Sequence, residues 1–187
     1  MKTWNAEDKL SIEKELLARG CAYIAGVDDS KKLSAKRRET LAALIKERAF
    51  AYTVYELNEK TIDEINILQA TRLGMKNALL SLPIRPDAVI TDGNMTLDIP
   101  FPQRSIVRGD ALSYSIGAAS IVAKVYRDAL MEKYAEAYPA YGFERNKGYG
   151  TAEHIKAIKE QGLCPIHRRT FTKKLLAGGG KSLPKNI

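Results

Sequence analysis

The feature that most limits what this chain can fold into lies between Leu112 and Ala123. No side chain in that run is charged, and small residues dominate it: Ser113, Ser115, Gly117, Ala118, Ala119, Ser120 and Ala123. Charge resumes only at Lys124, Arg127 and Asp128. A helix that is small and apolar all round has no face to offer water and is buried. It is too short to span a bilayer, which takes roughly twenty apolar residues. Small side chains let backbones approach closely, so the partner is read as a sheet. Just upstream, Ile106 and Val107 mark a short strand that turns at Gly109-Asp110. Asp110 therefore stands where a strand ends and a buried helix begins, the place where α/β proteins gather their ligands.

The remaining segments alternate in the same manner. Ala6 to Arg19 reads as an amphipathic helix closed by Gly20, with Leu10, Ile12, Leu16 and Leu17 inward. Tyr23 to Val27 reads as a buried strand, with Asp28-Asp29 at its carboxyl end. Ser34 caps a helix whose apolar face is Leu41, Leu44 and Ile45. Phe50 to Tyr55, aromatic and β-branched, reads as a strand. The capping box Thr61-x-x-Glu64 opens a helix to about Leu80, with Ile62, Ile65, Leu68, Met75 and Leu79 buried. Ala88 to Thr91 is a strand leaving through the turn Asp92-Gly93-Asn94, and 105–108 is the next. The Gly- and Tyr-rich stretch 138–151 reads as a loop or broken helix, and Thr151 caps a short helix ended by Gly162. This order argues a mostly parallel α/β sheet covered by helices on both faces. The division expected is one domain over 1–171 and a basic, flexible tail over 172–187.

Three strands run straight into aspartate. If they are parallel neighbours, Asp28, Asp92 and Asp110 meet at one edge. Clustered carboxylates repel unless a cation compensates them. Mg²⁺ takes oxygen ligands and keeps waters for substrate phosphates, and two such ions can drive phosphodiester hydrolysis. Aspartate at a strand end is also ordinary turn chemistry. Lys and Arg number 30 against 22 Asp and Glu, a net charge of +8, which suggests a polyanionic partner. The same excess also fits a merely basic soluble protein. Cys21 and Cys164 have no metal-ligand spacing and read as reduced cytoplasmic thiols. The first residues hold acids and no apolar core, so no secretory signal is expected there.

Several long stretches resemble the bacterial type 2 ribonuclease H family, ribonuclease HII. They are DDSKKLSAKRRE at 28–39, NILQATRLGMKNAL at 66–79, TDGN at 91–94, GDALSYSIGAASIVAKVYRD at 109–128, YPAYGFERNKGYGT at 138–151 and PIHRRTF at 165–171. The resemblance covers nearly the whole chain. It implies a ribonuclease H-like sheet, mixed or mostly parallel, and endonucleolytic cleavage of RNA in RNA–DNA hybrids. It also implies incision on the 5′ side of ribonucleotides embedded in duplex DNA, with Mg²⁺ or Mn²⁺. The partner implied is such nucleic acid, not a membrane, and the protein is expected to be a cytoplasmic monomer. Asp92, from D-G-N, and Asp110, from G-D-x-x-S, are carried over as catalytic and metal-binding. Tyr149, in K-G-Y-G-T, is carried over as the side chain touching the sugar at the RNA–DNA junction. The basic surfaces, including Lys31, Lys32, Lys124, Arg168, Arg169 and the tail, are expected to bind nucleic-acid backbone, and Asn94 and His167 are also expected to bind substrate.

The departures from the family pattern are local. The family's first strand reads G-[IV]-D-E-A-G-R-G and leads into a second, apolar strand. Here Gly26-Val27-Asp28 passes directly into Asp29-Ser30-Lys31-Lys32, and roughly thirty residues of the α/β layout, including one strand, are missing. Asp28 and Asp29 stand for the family's catalytic Asp-Glu pair, or else both belong to the D-S-K-K loop. The sheet is expected to close the gap by pairing 23–27 with 50–55. Gly117 stands where the family usually has Ala, and Asn146 where it has His.

Overall fold

A computed structural model of the chain describes residues 9–27 and 34–177, so Asp28, Asp29, Lys31, Lys32 and the tail from 178 onward lie outside it. The elements in order are α1 (Ser11–Ala18), β1 (Ile24–Val27), α2 (Ala35–Arg48), α3 (Glu59–Leu80), β2 (Ala88–Asp92) and β3 (Gln103–Ile106). They continue with α4 (Gly109–Leu112), α5 (Tyr114–Ala137), a 3-10 turn at Pro139–Tyr141, α6 (Phe143–Asn146), α7 (Ala152–Gln161) and α8 (Arg169–Ala177). Two compact units result: residues up to 56 with 71–125, and 57–70 with the chain from 126 on. Among the described residues no helix is long and apolar enough to cross a membrane.

The first unit is built on a parallel sheet in the order β1-β2-β3. Ile24 to Val27 align with Ala88 to Thr91, and Val89 to Asp92 with Gln103 to Ile106. The expectation of three parallel neighbours, each with its carboxyl end at the same edge, holds. β2 is buried from Ala88 to Thr91, as a central strand covered on both faces should be. One cluster packs Val27, Met75, Leu79, Val89 and Leu97; another packs Ile12, Ile90, Ile106 and Ile116. β3 begins two residues earlier than its apolar pair suggested. The Gln103 side chain explains this: its Oε1 accepts from Leu97 N–H at 2.8 Å and its Nε2 donates to Leu97 O at 2.7 Å. Val107 is left exposed.

Four expectations fail here. Phe50 to Tyr55 is not a strand and does not pair with β1. Phe50 is 73% exposed and meets β1's neighbour Tyr23 only ring to ring, at 5.2 Å. Strand propensity expresses packing on a pleated surface, and among the described residues no strand occupies the outer side of β1. In α1, Leu10 and Leu17 are exposed and Glu13 is buried beside Ile12. In α2 the buried residue is Ala42, while Leu44 is exposed. α3 is capped by Asn58, whose Oδ1 accepts from Thr61 N–H at 2.9 Å, not by Thr61. The helix is broken at Asn66 (φ 66°) and restarted by the Asn66 side chain, which accepts from Gln69 N–H at 3.2 Å.

In the second unit Tyr141, Phe143, Ile158 and Cys164 form the core. Asp63 seats α8 by accepting from Arg169 N–H at 2.6 Å and Thr170 N–H at 3.2 Å, an anion at a helix N-terminus. α8 runs to Ala177, so the first residues of the expected tail are helical.

The expected helix is the N-terminal half of α5, but it is not buried all round: Ile116, Ser120 and Val122 are buried and Tyr114 is exposed. A Cβ on Gly26 would lie 2.3 Å from the Ser115 carbonyl carbon and 2.5 Å from Ile116 N. That is backbone against backbone, with no side chain to move aside. Gly26→Ala should therefore destabilise the fold by about 3 kcal/mol or more, the upper end of overpacking, seen as a lower urea midpoint; an unchanged midpoint would contradict this packing.

Candidate active site

β2 delivers Asp92 to the open end of the sheet. Ala88 to Thr91 are fully buried, and the Thr91 hydroxyl is held between Met95 O and Ser105 Oγ, both at 3.3 Å. Asp92 is the first half-buried position, and Gly93 (φ 82°) turns the chain away behind it. Its Oδ1 accepts from Gly109 N–H at 2.6 Å. Arg108 adopts the left-handed conformation (φ 61°) that swings the chain from β3 into α4, and Asp110 lies in the first turn of that helix, half-buried. Gly109 fits because a Cβ there would meet Ile116 Cδ1 at 2.5 Å and Asp92 Cα at 3.4 Å. One short hydrogen bond thus ties the Asp92 carboxylate to the residue preceding Asp110. A Cβ on Gly117 would approach Asp110 O at 3.1 Å, so the glycine found where the family has Ala relieves a tight contact on that turn.

Of the predicted carboxylates, Asp92 is tied to Gly109, the residue before Asp110, while Asp28 and Asp29 lie outside the described residues. Among the described residues no three His, Cys, Asp or Glu side chains are grouped to hold a metal. Two carboxylates suit a hard cation that keeps several waters. Asn94 is exposed in the turn after β2, and Lys124 is half-buried on α5.

Glu13 was not foreseen. Its Oε1 accepts from Ser113 Oγ at 2.6 Å and Ser115 N–H at 3.1 Å, while Ser113 Oγ accepts from Ile116 N–H at 3.2 Å. A carboxylate 7% exposed thus caps α5, with Oε2 buried and without a hydrogen bond. In sequence this Glu looks like any solvated residue of an amphipathic helix.

In the second unit Tyr149 is 52% exposed and the Arg127 guanidinium lies 4.7 Å over its ring, a cation–π contact. Arg168 packs over Phe171 at 4.9 Å. Burial lowers the Arg168 pKa, Asp63 opposes that, and Arg127 adds to it. Arg127 was missed; its signal was the spacing of three from Lys124 along one helix. His167, expected to bind substrate, is buried at 8% exposure. Its ring is engaged by Cys164 and by His154 Nε2 at 3.0 Å. His154 was also missed, although its spacing of four from Ile158 placed it on the inward face of α7.

Comparison with known proteins places this geometry. A family model described as Ribonuclease HII matches residues 22–174. The ribonuclease HII of Chlorobium chlorochromatii is 52% identical over 151 residues, covering 80% of this chain and 73% of that protein. That of Ligilactobacillus salivarius is 44% identical over 200 aligned positions, covering 91% of this chain and 78% of that protein. The crystal structure of ribonuclease H2 from Pyrococcus horikoshii OT3 superposes with a TM-score of 0.66 at 25% identity, over 90% of this chain and 84% of that one.

The buried histidines carry a pH signature. Burial foremost, then the neighbouring His154, pushes the His167 pKa below its usual value, and the Cys164 backbone contact opposes this. A group whose pKa is depressed on folding contributes stability above its unfolded value, ~6.5, and loses it as pH falls from there through the folded value. The urea midpoint should therefore fall on acidification below about pH 6.5, and His167→Gln should flatten that dependence. A midpoint independent of pH in that window would contradict it.

Proposed function

The chain belongs to the ribonuclease HII family, and from that premise we propose that it is a metal-dependent endoribonuclease. In this reading it cuts the RNA strand of RNA–DNA hybrids and incises on the 5′ side of ribonucleotides embedded in duplex DNA. The observation that carries it is the Asp92–Gly109–Asp110 arrangement at the carboxyl edge of a parallel sheet. Asp92 and Asp110 would hold Mg²⁺ or Mn²⁺, which when bound activates water and stabilises the leaving oxygen of a phosphodiester. The Gly109 N–H fixes the Asp92 carboxylate through Oδ1 and leaves Oδ2 for a ligand. Lys124, Arg127 and Arg168, with Lys31 and Lys32, neutralise backbone phosphates, and Asn94 and His167 complete the substrate-binding set, His167 from within. Tyr149 offers a half-exposed ring with a polar edge to the ribose, whose 2′-OH distinguishes RNA from DNA. The same reading makes the protein a monomer of the cytoplasm that acts in DNA repair; Cys21 and Cys164 are free thiols, as in a reducing compartment.

The rate is expected to lie far below that of an intact family member and to be better preserved in Mn²⁺. The family's E-A-G-R-G segment and the strand after it have no counterpart in the sequence. In support, the alignment with the Ligilactobacillus salivarius protein spans 200 positions against 187 residues in this whole chain. That relative carries residues within the matched stretch that this chain lacks. A scissile phosphate held without the G-R-G amides is poorly placed, and misplacement by about 1 Å can cost ~10²-fold. A second reading, an inactive nucleic-acid-binding relative, is favoured by Gly26-Val27-Asp28 passing directly into Asp29-Ser30-Lys31-Lys32.

Cleavage of duplex DNA containing one ribonucleotide, in Mg²⁺ and in Mn²⁺, separates the two. Asp92→Asn and Asp110→Asn should each reduce cleavage and Mn²⁺ affinity by ~10²-fold; variants that cut like the parent would place the site elsewhere. In either reading the log of duplex affinity should fall with the log of salt, with a slope of about −0.9 per phosphate contacted, and a flat response would argue against the basic surface.

A further inference from the structure

We propose that His154 and His167, the only histidines of the chain, form one orientation-locked pair that positions Tyr149 through its main-chain carbonyl. The proposal rests on reading Tyr149 as the side chain that contacts the sugar. The argument starts from the one donor that cannot change. The Cys164 backbone N–H donates to His167 Nδ1 at 3.0 Å, and Cys164 Sγ and O lie 3.0 and 3.3 Å from the same nitrogen; because the N–H is aimed at it, that nitrogen carries a lone pair. The neutral His167 ring then bears its proton on Nε2, which lies 3.0 Å from His154 Nε2. His154 Nε2 must accept, so the His154 proton is on Nδ1, which lies 2.9 Å from Tyr149 O. A backbone N–H at one end thus fixes the direction of every hydrogen bond to a backbone carbonyl at the other. All four ring nitrogens are used, which is why two histidines beside a cysteine make no metal site here.

The far end of this chain is the residue whose orientation matters. Tyr149 O also accepts from Thr151 N–H at 2.8 Å, and Tyr149 N–H donates to Asn146 O at 2.8 Å. Asn146 in turn takes Gly148 N–H at 2.8 Å on Oδ1 and donates to Tyr141 O at 2.7 Å. The approach to Tyr149 passes through two left-handed residues, Lys147 (φ 49°) and Gly148 (φ 78°). For lysine this conformation is uncommon and persists only when the surroundings impose it. The rings are walled in by Phe143, edge-on to His154 at 5.3 Å, and Tyr141, 4.9 Å from His167.

The other titratable groups facing the pair are the Cys164 thiol and the Tyr141 phenol, both held protonated by burial. The Tyr141 hydroxyl donates to Gly162 O at 3.1 Å. Charged side chains on the adjoining elements, Glu144, Arg145 and Glu153, pair among themselves at the surface.

Long-range ¹⁵N spectra of the full chain at pH 7.5 should show His154 as the Nδ1–H tautomer and His167 as the Nε2–H tautomer. His154 as Nε2–H, or a charged ring, would overturn the proposal. In His154→Leu the Tyr149 amide should shift, and in His154→Asn, which keeps a donor near the Nδ1 position, it should largely return; an unmoved Tyr149 in both overturns it. Binding of duplexes with and without one ribonucleotide supplies the functional arm. His154→Leu should cost about tenfold in preference for the ribonucleotide, and nothing further in a Tyr149→Ala background, whereas full additivity would mean the two act separately. Should the parent show no such preference, the ribonuclease reading fails, while the tautomers and the Tyr149 resonance still decide the pair.

Discussion

The close approach of β1 to the start of α5 is the constraint on which the first unit depends. Gly26 has no Cβ because the Ser115–Ile116 peptide occupies that space. The same helix start is held by Ser113 and by the buried Glu13 carboxylate. Ile116, one residue on, fills the space that Gly109 leaves open. Once that helix is seated, Gly109 can bring its N–H to Asp92, and the two aspartates at the sheet edge are fixed relative to one another. A side chain added at either glycine would act on the carboxylates by way of backbone position.

The second unit achieves order by a different route. Its apolar cluster is small, and into it the chain has placed Asn146, His154, His167 and Thr172, each buried and hydrogen-bonded. Buried polar groups without partners are costly, so each must meet its complement. Such a network specifies one conformation more sharply than an apolar core of equal size. That suits a loop whose exposed tyrosine must be held at a set angle while neighbouring residues adopt left-handed conformations.

Among the described residues no strand lies on the outer side of β1. Phe50, Tyr52, Val54 and Tyr55 have the composition of a strand and remain exposed. Backbone hydrogen-bonding capacity on an uncovered edge is a template for association.

The three strands that end near aspartate, the charge-free helix after Asp110 and the Thr151 cap were legible in the sequence. Each rests on local chemistry or on a short repeat: strand-end aspartates, a charge-free run of small residues, a hydroxyl before a helix. Only the tertiary structure decided that Glu13 caps α5, that Asn58 and Asn66 start the two parts of α3, and that Phe50 to Tyr55 stays out of the sheet. It also decided that His167 is buried against His154 and does not face solvent. The reason is common to all of these. A polar side chain has no intrinsic side to face, and a strand former has no intrinsic neighbour. Partners distant in sequence supply both, and Glu13 finds Ser113 a hundred residues away.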